Sequence, residues 1–317
     1  MFGSSDSPWS SEFIQEILLS AERTALLYHL SYLRLGKFPK LERPIRELNR
    51  ETQRLFRCSE ALIMKCVGTS SNLDSSLFPI LRKTVEKNKP LLGAMYLEKA
   101  RTWTDEIISA AGDIVKRYEQ HSQSVALCAI DVIQLQKKKE EKETLRLEKM
   151  KSAEQLIKEN RGLMSTYHLT ELQQQLNLSR KQLGVIYSSV HLKKVQLYLS
   201  RIQQILLQLQ KFWVRVGSVL DTLKDKTVVG DNLTEDLDDM KEEFLTSIEA
   251  AAEHWKSFGG CCRTVQGVFS VQSKDVYKFL EINPSSLSED ERKEQFESVM
   301  MKLKQISPQY SSTAAEN

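Results

Sequence analysis

The chain has 317 residues, 41% apolar and 27% charged, with a formal net charge of +3 from 45 basic and 42 acidic side chains. That composition excludes collagen, low-complexity disorder and a disulfide miniprotein. The near-neutral balance gives no global field toward nucleic acid or membrane.

Glycine occurs 12 times and proline 7 times, both below the roughly 7% and 5% of average usage. The prolines are Pro8, Pro39, Pro44, Pro79, Pro90, Pro284 and Pro308, with none between Pro90 and Pro284. Proline costs about 3 kcal/mol inside a helix, so a span without it admits long helices. No stretch alternates with a two-residue period, so the expected fold is all-α. Its expected form is one elongated bundle of long antiparallel helices with coiled-coil-like packing over 1–306, with a disordered tail at 307–317.

The N-terminal helices fall within 11–89. The first covers 11–35, capped by Ser10 or Ser11 and ended by Gly36. The second starts near Pro44 and ends near Gly68, with Ile45, Leu48, Leu55, Leu62 and Cys66 on one face. Thr69 to Ser76 reads as a serine-rich loop, followed by a short helix over 79–88. From 90 to 161 the apolar residues keep helical spacing through Ile107, Ile108, Ala111, Ile114, Val115 and Tyr118, then Val125, Leu127, Cys128, Val132 and Leu135. A helix of about 70 residues would span roughly 100 Å, against a radius of gyration near ~20 Å for a globular chain of this length. The sequence leaves open whether 90–161 is one helix or two.

The helix over 166–226 has the strongest periodicity. Val195, Tyr198, Ile202, Ile205, Leu209, Phe212, Val216, Val219 and Leu223 recur three or four apart, the pattern of a coiled-coil seam. An earlier seam uses Leu169, Leu172, Leu176, Leu183, Ile186 and Val190. The frame slips between Val190 and Val195, where it would otherwise turn Lys193 inward. Leu197, Leu199, Leu206, Leu207, Trp213, Val214 and Leu220 widen the stripe. So broad a stripe needs two or more neighbours and marks a central bundle helix.

Val229 to Asn232 is a turn. C-terminal helices are expected over 233–258, 261–280 and 287–305, the first opened by Asn232 with Glu235 and the last by Ser286 with Glu289. Between Arg180 and Lys226 stand nine basic and two acidic residues, and between Asp231 and Glu253 nine acidic and one basic. These stretches either neutralise each other side by side or leave a basic surface for a partner. Aromatic pairs Phe212-Trp213 and Trp255-Phe258 either face each other across two helices or pack separately in the core.

Chemistry-bearing motifs are missing. The sequence has no GxxxxGK[ST], GxGxxG, GxSxG, HExxH, EF-hand loop or zinc-like spacing. His29, His121, His168, His191 and His254 are scattered, and no paired ExxH motifs stand where a di-iron bundle needs them. The five cysteines, Cys58, Cys66, Cys128, Cys261 and Cys262, read as small buried hydrophobes. The adjacent pair Cys261-Cys262 leaves palmitoylation or redox chemistry open. Lys137-Lys138-Lys139 runs straight into Glu140-Glu141, a solvated helix face. We therefore expect no catalytic, cofactor-binding or metal-binding residues, no enzyme, no cofactor and no nucleic-acid partner.

The run Phe212-Trp213 through Leu223, then Asp231-Asn232-Leu233, Leu237, Lys241, Phe244, Ile248, Ala251 and Trp255, resembles the C-terminal helix pair of the hemolysin BL/Nhe type of helical pore-forming toxins. The resemblance implies a long-helix bundle and self-assembly. Family members that pierce membranes carry an apolar head between long helices, whereas the matching region here, about Gln136 to Glu171, is charged. The nearest apolar segment is Val125 to Leu135. BAR-type dimers are similar in helix length and basic face.

The expected function is non-enzymatic, through protein–protein interaction and self-association with a protein partner or a second copy. The alternative is a membrane-acting bundle, pore-forming or curvature-binding. With no secretory signal at Met1 to Ser11 and no apolar run longer than six residues, Val125 to Ile130, the expected location is cytoplasmic, with peripheral membrane association under the alternative.

Overall fold

The computed structural model describes residues 11–35, 39–159, 188–229 and 286–306, together with Gln174 and single positions between 242 and 260. Among these the elements are helical and no strand occurs, so the fold is all-α. The helices are α1 (Ser11–Leu35), α2 (Pro39–Asn72), a π-helical turn (Leu73–Leu77), α3 (Phe78–Glu86), α4 (Pro90–Glu159), α5 (Ser188–Val229) and α6 (Glu289–Ile306).

α2 begins at Pro39 rather than near Pro44. Proline suits a first helical turn, where its missing N–H has no partner to lose. Pro44 then lies inside the helix. The serine-rich segment is a second correction: 69–77 is helical, not a loop. Serine and threonine weaken a helix only when their hydroxyls compete for its backbone. Ser75 does bond back to the Ser71 carbonyl, at 2.7 Å, but Leu73 and Leu77 anchor the segment in the core and the helix persists. One extra residue per turn absorbs the register change before Pro79. Chain reversal comes later, at Asn88, whose φ of 52° is left-handed. The Lys89 N–H donates to Thr84 O at 2.8 Å and the Asn88 N–H to Val85 O at 3.1 Å. That pattern closes a Schellman motif, with asparagine tolerating the conformation glycine usually supplies.

α4 is one helix of 70 residues, roughly 105 Å long. α5 runs antiparallel to it. Arg101 pairs with Asp221 at 3.1 Å, and Glu98 with Lys224. One heptad apart, the Gln210 side chain donates to Ile108 O at 3.2 Å and Gln203 to Val115 O at 3.4 Å. Gly112 makes room for the first of these, because a Cβ there would stand 2.8 Å from the Gln210 amide nitrogen.

Each long helix carries one fully covered row. On α4 it is Leu97, Ala100, Thr104, Ile107, Ala111, Ile114, Tyr118, His121, Val125, Cys128 and Val132, all buried. On α5 it is Leu192, Val195, Leu199, Ile202, Leu206, Leu209, Trp213, Val216, Leu220 and Leu223, all buried. Both rows step three and four residues alternately, the spacing that keeps one helix face on its neighbour.

α1 runs antiparallel to α2 and α5, and α2 antiparallel to α4. Tyr32 meets Arg46 between α1 and α2. The Arg23 guanidinium lies 5.4 Å from the Tyr198 ring centroid between α1 and α5. Lys65 pairs with Glu106 at 2.7 Å between α2 and α4. α6 lies along α1, burying Val299 and Leu303. Its capping box uses Ser288 and Glu291, not Ser286 and Glu289. The Glu291 N–H donates to Ser288 Oγ at 3.2 Å, and the Ser288 N–H to Glu291 Oε2 at 2.8 Å. Both serine–glutamate pairs have the required spacing, and the helix starts after the second.

Candidate functional site

The nine seam positions divide in two. Val195, Ile202, Ile205, Leu209, Val216 and Leu223 are buried, while Tyr198, Phe212 and Val219 are half-buried at the flank. The side chains that widened the stripe divide too. Leu199, Leu206, Trp213 and Leu220 are fully covered, and Leu197 and Val214 face solvent. The earlier seam from Leu169 to Ile186 lies outside the described residues, and Val190 is exposed. Phe258 stacks on Phe212 at 4.7 Å and meets Trp213 edge-on at 5.7 Å. The aromatic pairs therefore meet through Phe258, and Trp255 lies outside the described residues. Of the basic stretch, Lys193, Arg201, Lys211 and Arg215 are exposed. The acidic stretch contributes Glu249, which pairs with Arg82 of α3.

A buried polar cluster joins α1, α2 and α4. Thr52 Oγ1 lies 2.6 Å from His121 Nε2 and donates to the Tyr28 hydroxyl at 3.2 Å. Tyr28 and His121 approach to 3.4 Å. One turn along, Ser59 and Tyr118 share a hydrogen bond of 3.1 Å. Beside them Arg117 donates to Glu51 at 2.7 Å and lies 3.3 Å from Cys58 Sγ. Burial lowers the His121 pKa to about 4, so the ring is neutral at pH 7. Burial also pushes both tyrosines above their ordinary range and the Cys128 thiol up to about 11. For Glu51 burial acts upward, yet the hydrogen bond and charge of Arg117 hold its carboxyl below the usual value.

An imidazole beside a hydroxyl can serve as a base and nucleophile pair. Thr52 and Tyr28 are wholly buried and His121 nearly so. What this arrangement can do chemically is satisfy polar groups inside the bundle and fix which residues stand opposite one another. Along the sequence the histidines are scattered, and nothing there brings His121 to Tyr28 and Thr52. The detectable signal was the α4 row, in which His121 occupies a heptad position between Tyr118 and Val125. Among the described residues no group of three or more His, Cys, Asp or Glu could hold a metal ion.

The other candidate is the outer surface of α4. Leu91 and Met95 are 71% and 70% exposed, with Leu92 beside them. Leu127, Ile130 and Ile133 are also exposed. From the α4–α5 register, Ile130 stands level with Ser188, so 131–159 continue past the start of α5 for roughly 40 Å. That extension carries Lys137, Lys138, Glu140 and Glu141 and the exposed Leu145.

No family model matches the chain, and no curated protein or solved structure does.

Proposed function

We propose that the chain is a non-enzymatic helical-bundle protein that acts through protein–protein contact, including self-association. The observation that carries this reading is the exposed apolar cluster Leu91, Leu92 and Met95 at the start of α4. Three large apolar side chains in one helical turn are a contact surface in search of a cover. The polar cluster around His121 supports a scaffold role, since its hydroxyls and imidazole are spent on one another. A cytoplasmic location, self-assembly and the likeness to helical pore-forming toxins belong to this proposal.

Sedimentation equilibrium tests it. Wild type is expected to sediment as an oligomer at micromolar concentration, and Leu91→Asp with Met95→Asp as the 36.5 kDa chain. A wild-type monomer at tens of micromolar overturns self-association.

Exposed Leu127, Ile130 and Ile133 favour the second reading, a membrane-acting bundle. Among the described residues no helix is long and apolar enough to cross a membrane, so the contact would be interfacial. Failure to co-sediment with anionic vesicles at low salt removes this alternative.

A further inference from the structure

α6 buries two side chains, Val299 and Leu303, and histidines from two different helices meet it. His29 stands half-buried on α1, beside Gln295 of α6. His191 stands on α5, buried, with its ring centroid 6.5 Å from that of Phe296. Its Nδ1 has no hydrogen-bond partner among the described residues. The apolar part of the dock is Val299 and Leu303, flanked by half-buried Phe296, Met300 and Ile306. The polar part is Arg23 donating to the Ile306 carbonyl at 2.8 Å and the Arg34 guanidinium 4.3 Å from the Phe296 centroid.

Among the described residues, the charges that bear on the two rings are positive. Lys302 of α6 bears on His29, and Arg34 of α1 and Lys194 of α5 bear on His191. Glu294 and Glu297 of α6 are exposed. A proton on either ring would therefore add a cation beside cations, at a half-buried ring for His29 and a buried one for His191. His121 is also lowered to about 4, with Glu51 and Arg117 acting in opposite directions, but it stands among α1, α2 and α4 rather than against α6.

We propose that α6 is an acid-released latch: protonation of His29 and His191 detaches Glu289–Ile306 from α1 and α5 while the α1–α2–α4–α5 bundle stays folded. The bundle outlasts the latch because α4 and α5 bury two complete heptad rows, whereas α6 buries two side chains. Elements with little buried contact open first.

Burial lowers both histidines to about 4, helped by these cations and, at His29, opposed by Gln295, and the released rings return to about 6.5. Docking is thus strongest above pH 6.5 and weakens as the pH falls toward 4. At pH 5 the ratio of docked to released helix should drop roughly thirtyfold for each histidine.

Hydrogen exchange on the full chain between pH 7.5 and 4.5, corrected for intrinsic rates, tests this. Peptides over 289–306 should lose at least about tenfold protection between pH 7 and 5, while peptides over 192–223 keep theirs. His29→Gln with His191→Gln should abolish the step, and His121→Gln should leave it in place. Lys302→Glu, at an exposed position, supplies a carboxylate to protonated His29 and should move the step to lower pH. Should the double variant fail to dock at pH 7, Lys302→Glu decides. The proposal is overturned if α5 and α6 lose protection together. It also falls if the step survives the double variant, or if Lys302→Glu leaves the step unmoved.

Discussion

Thr52 is the residue on which the inner cluster turns. Its single hydroxyl touches both His121 Nε2 and the Tyr28 hydroxyl, and all three side chains are buried. Thr52→Val keeps the shape and deletes the shared hydroxyl. Tyr28 and His121 are then left to each other at 3.4 Å, at the long end of a hydrogen bond. Leaving buried polar groups short of partners costs about 1–3 kcal/mol. Urea unfolding of Thr52→Val should show a loss of that size with an unchanged slope. A loss under about 0.5 kcal/mol would mean the cluster fills space without contributing polar stability.

At the scale of the element, the segment 69–77 separates what local sequence encodes from what packing decides. Thr69, Ser70, Ser71, Ser75 and Ser76 give the composition of a loop, yet Leu73 and Leu77 are pulled into the core and the backbone remains helical. Ser71 is exposed, so Ser71→Pro probes the backbone without disturbing packing. In a helix it should cost about 3 kcal/mol or more, read as a fall in melting temperature, whereas a loop would accept it. Other elements were legible because their signals are local. α1 shows its apolar face, and α5 shows a stripe of leucine and valine that fits only a central helix. What stayed hidden is relational. Nothing along α5 alone says that Trp213 and Leu220 lie deeper than Phe212 and Val219. That depends on where α1 and α4 stand. The same holds for His121, whose meaning appears only when Tyr28 and Thr52 arrive from two other helices.

At the scale of the whole molecule, α4 sets the shape. A compact chain of this length would have a radius of gyration near ~20 Å, while α4 alone is a rod of roughly 105 Å. Two ion pairs and two glutamine–carbonyl bonds fix α5 against the N-terminal half of that rod. α1 and α2 pack beside the same half, and 131–159 continue the helix beyond it. Small-angle scattering should therefore give a maximum dimension above ~100 Å, with a distance distribution skewed to a long tail. Self-association through Leu91, Leu92 and Met95 would act at the opposite end of α4 from that extension. It should lengthen the particle and raise the maximum dimension with concentration, and Leu91→Asp with Met95→Asp should hold it constant. A symmetric distribution ending below about 70 Å would require α4 to be broken in solution.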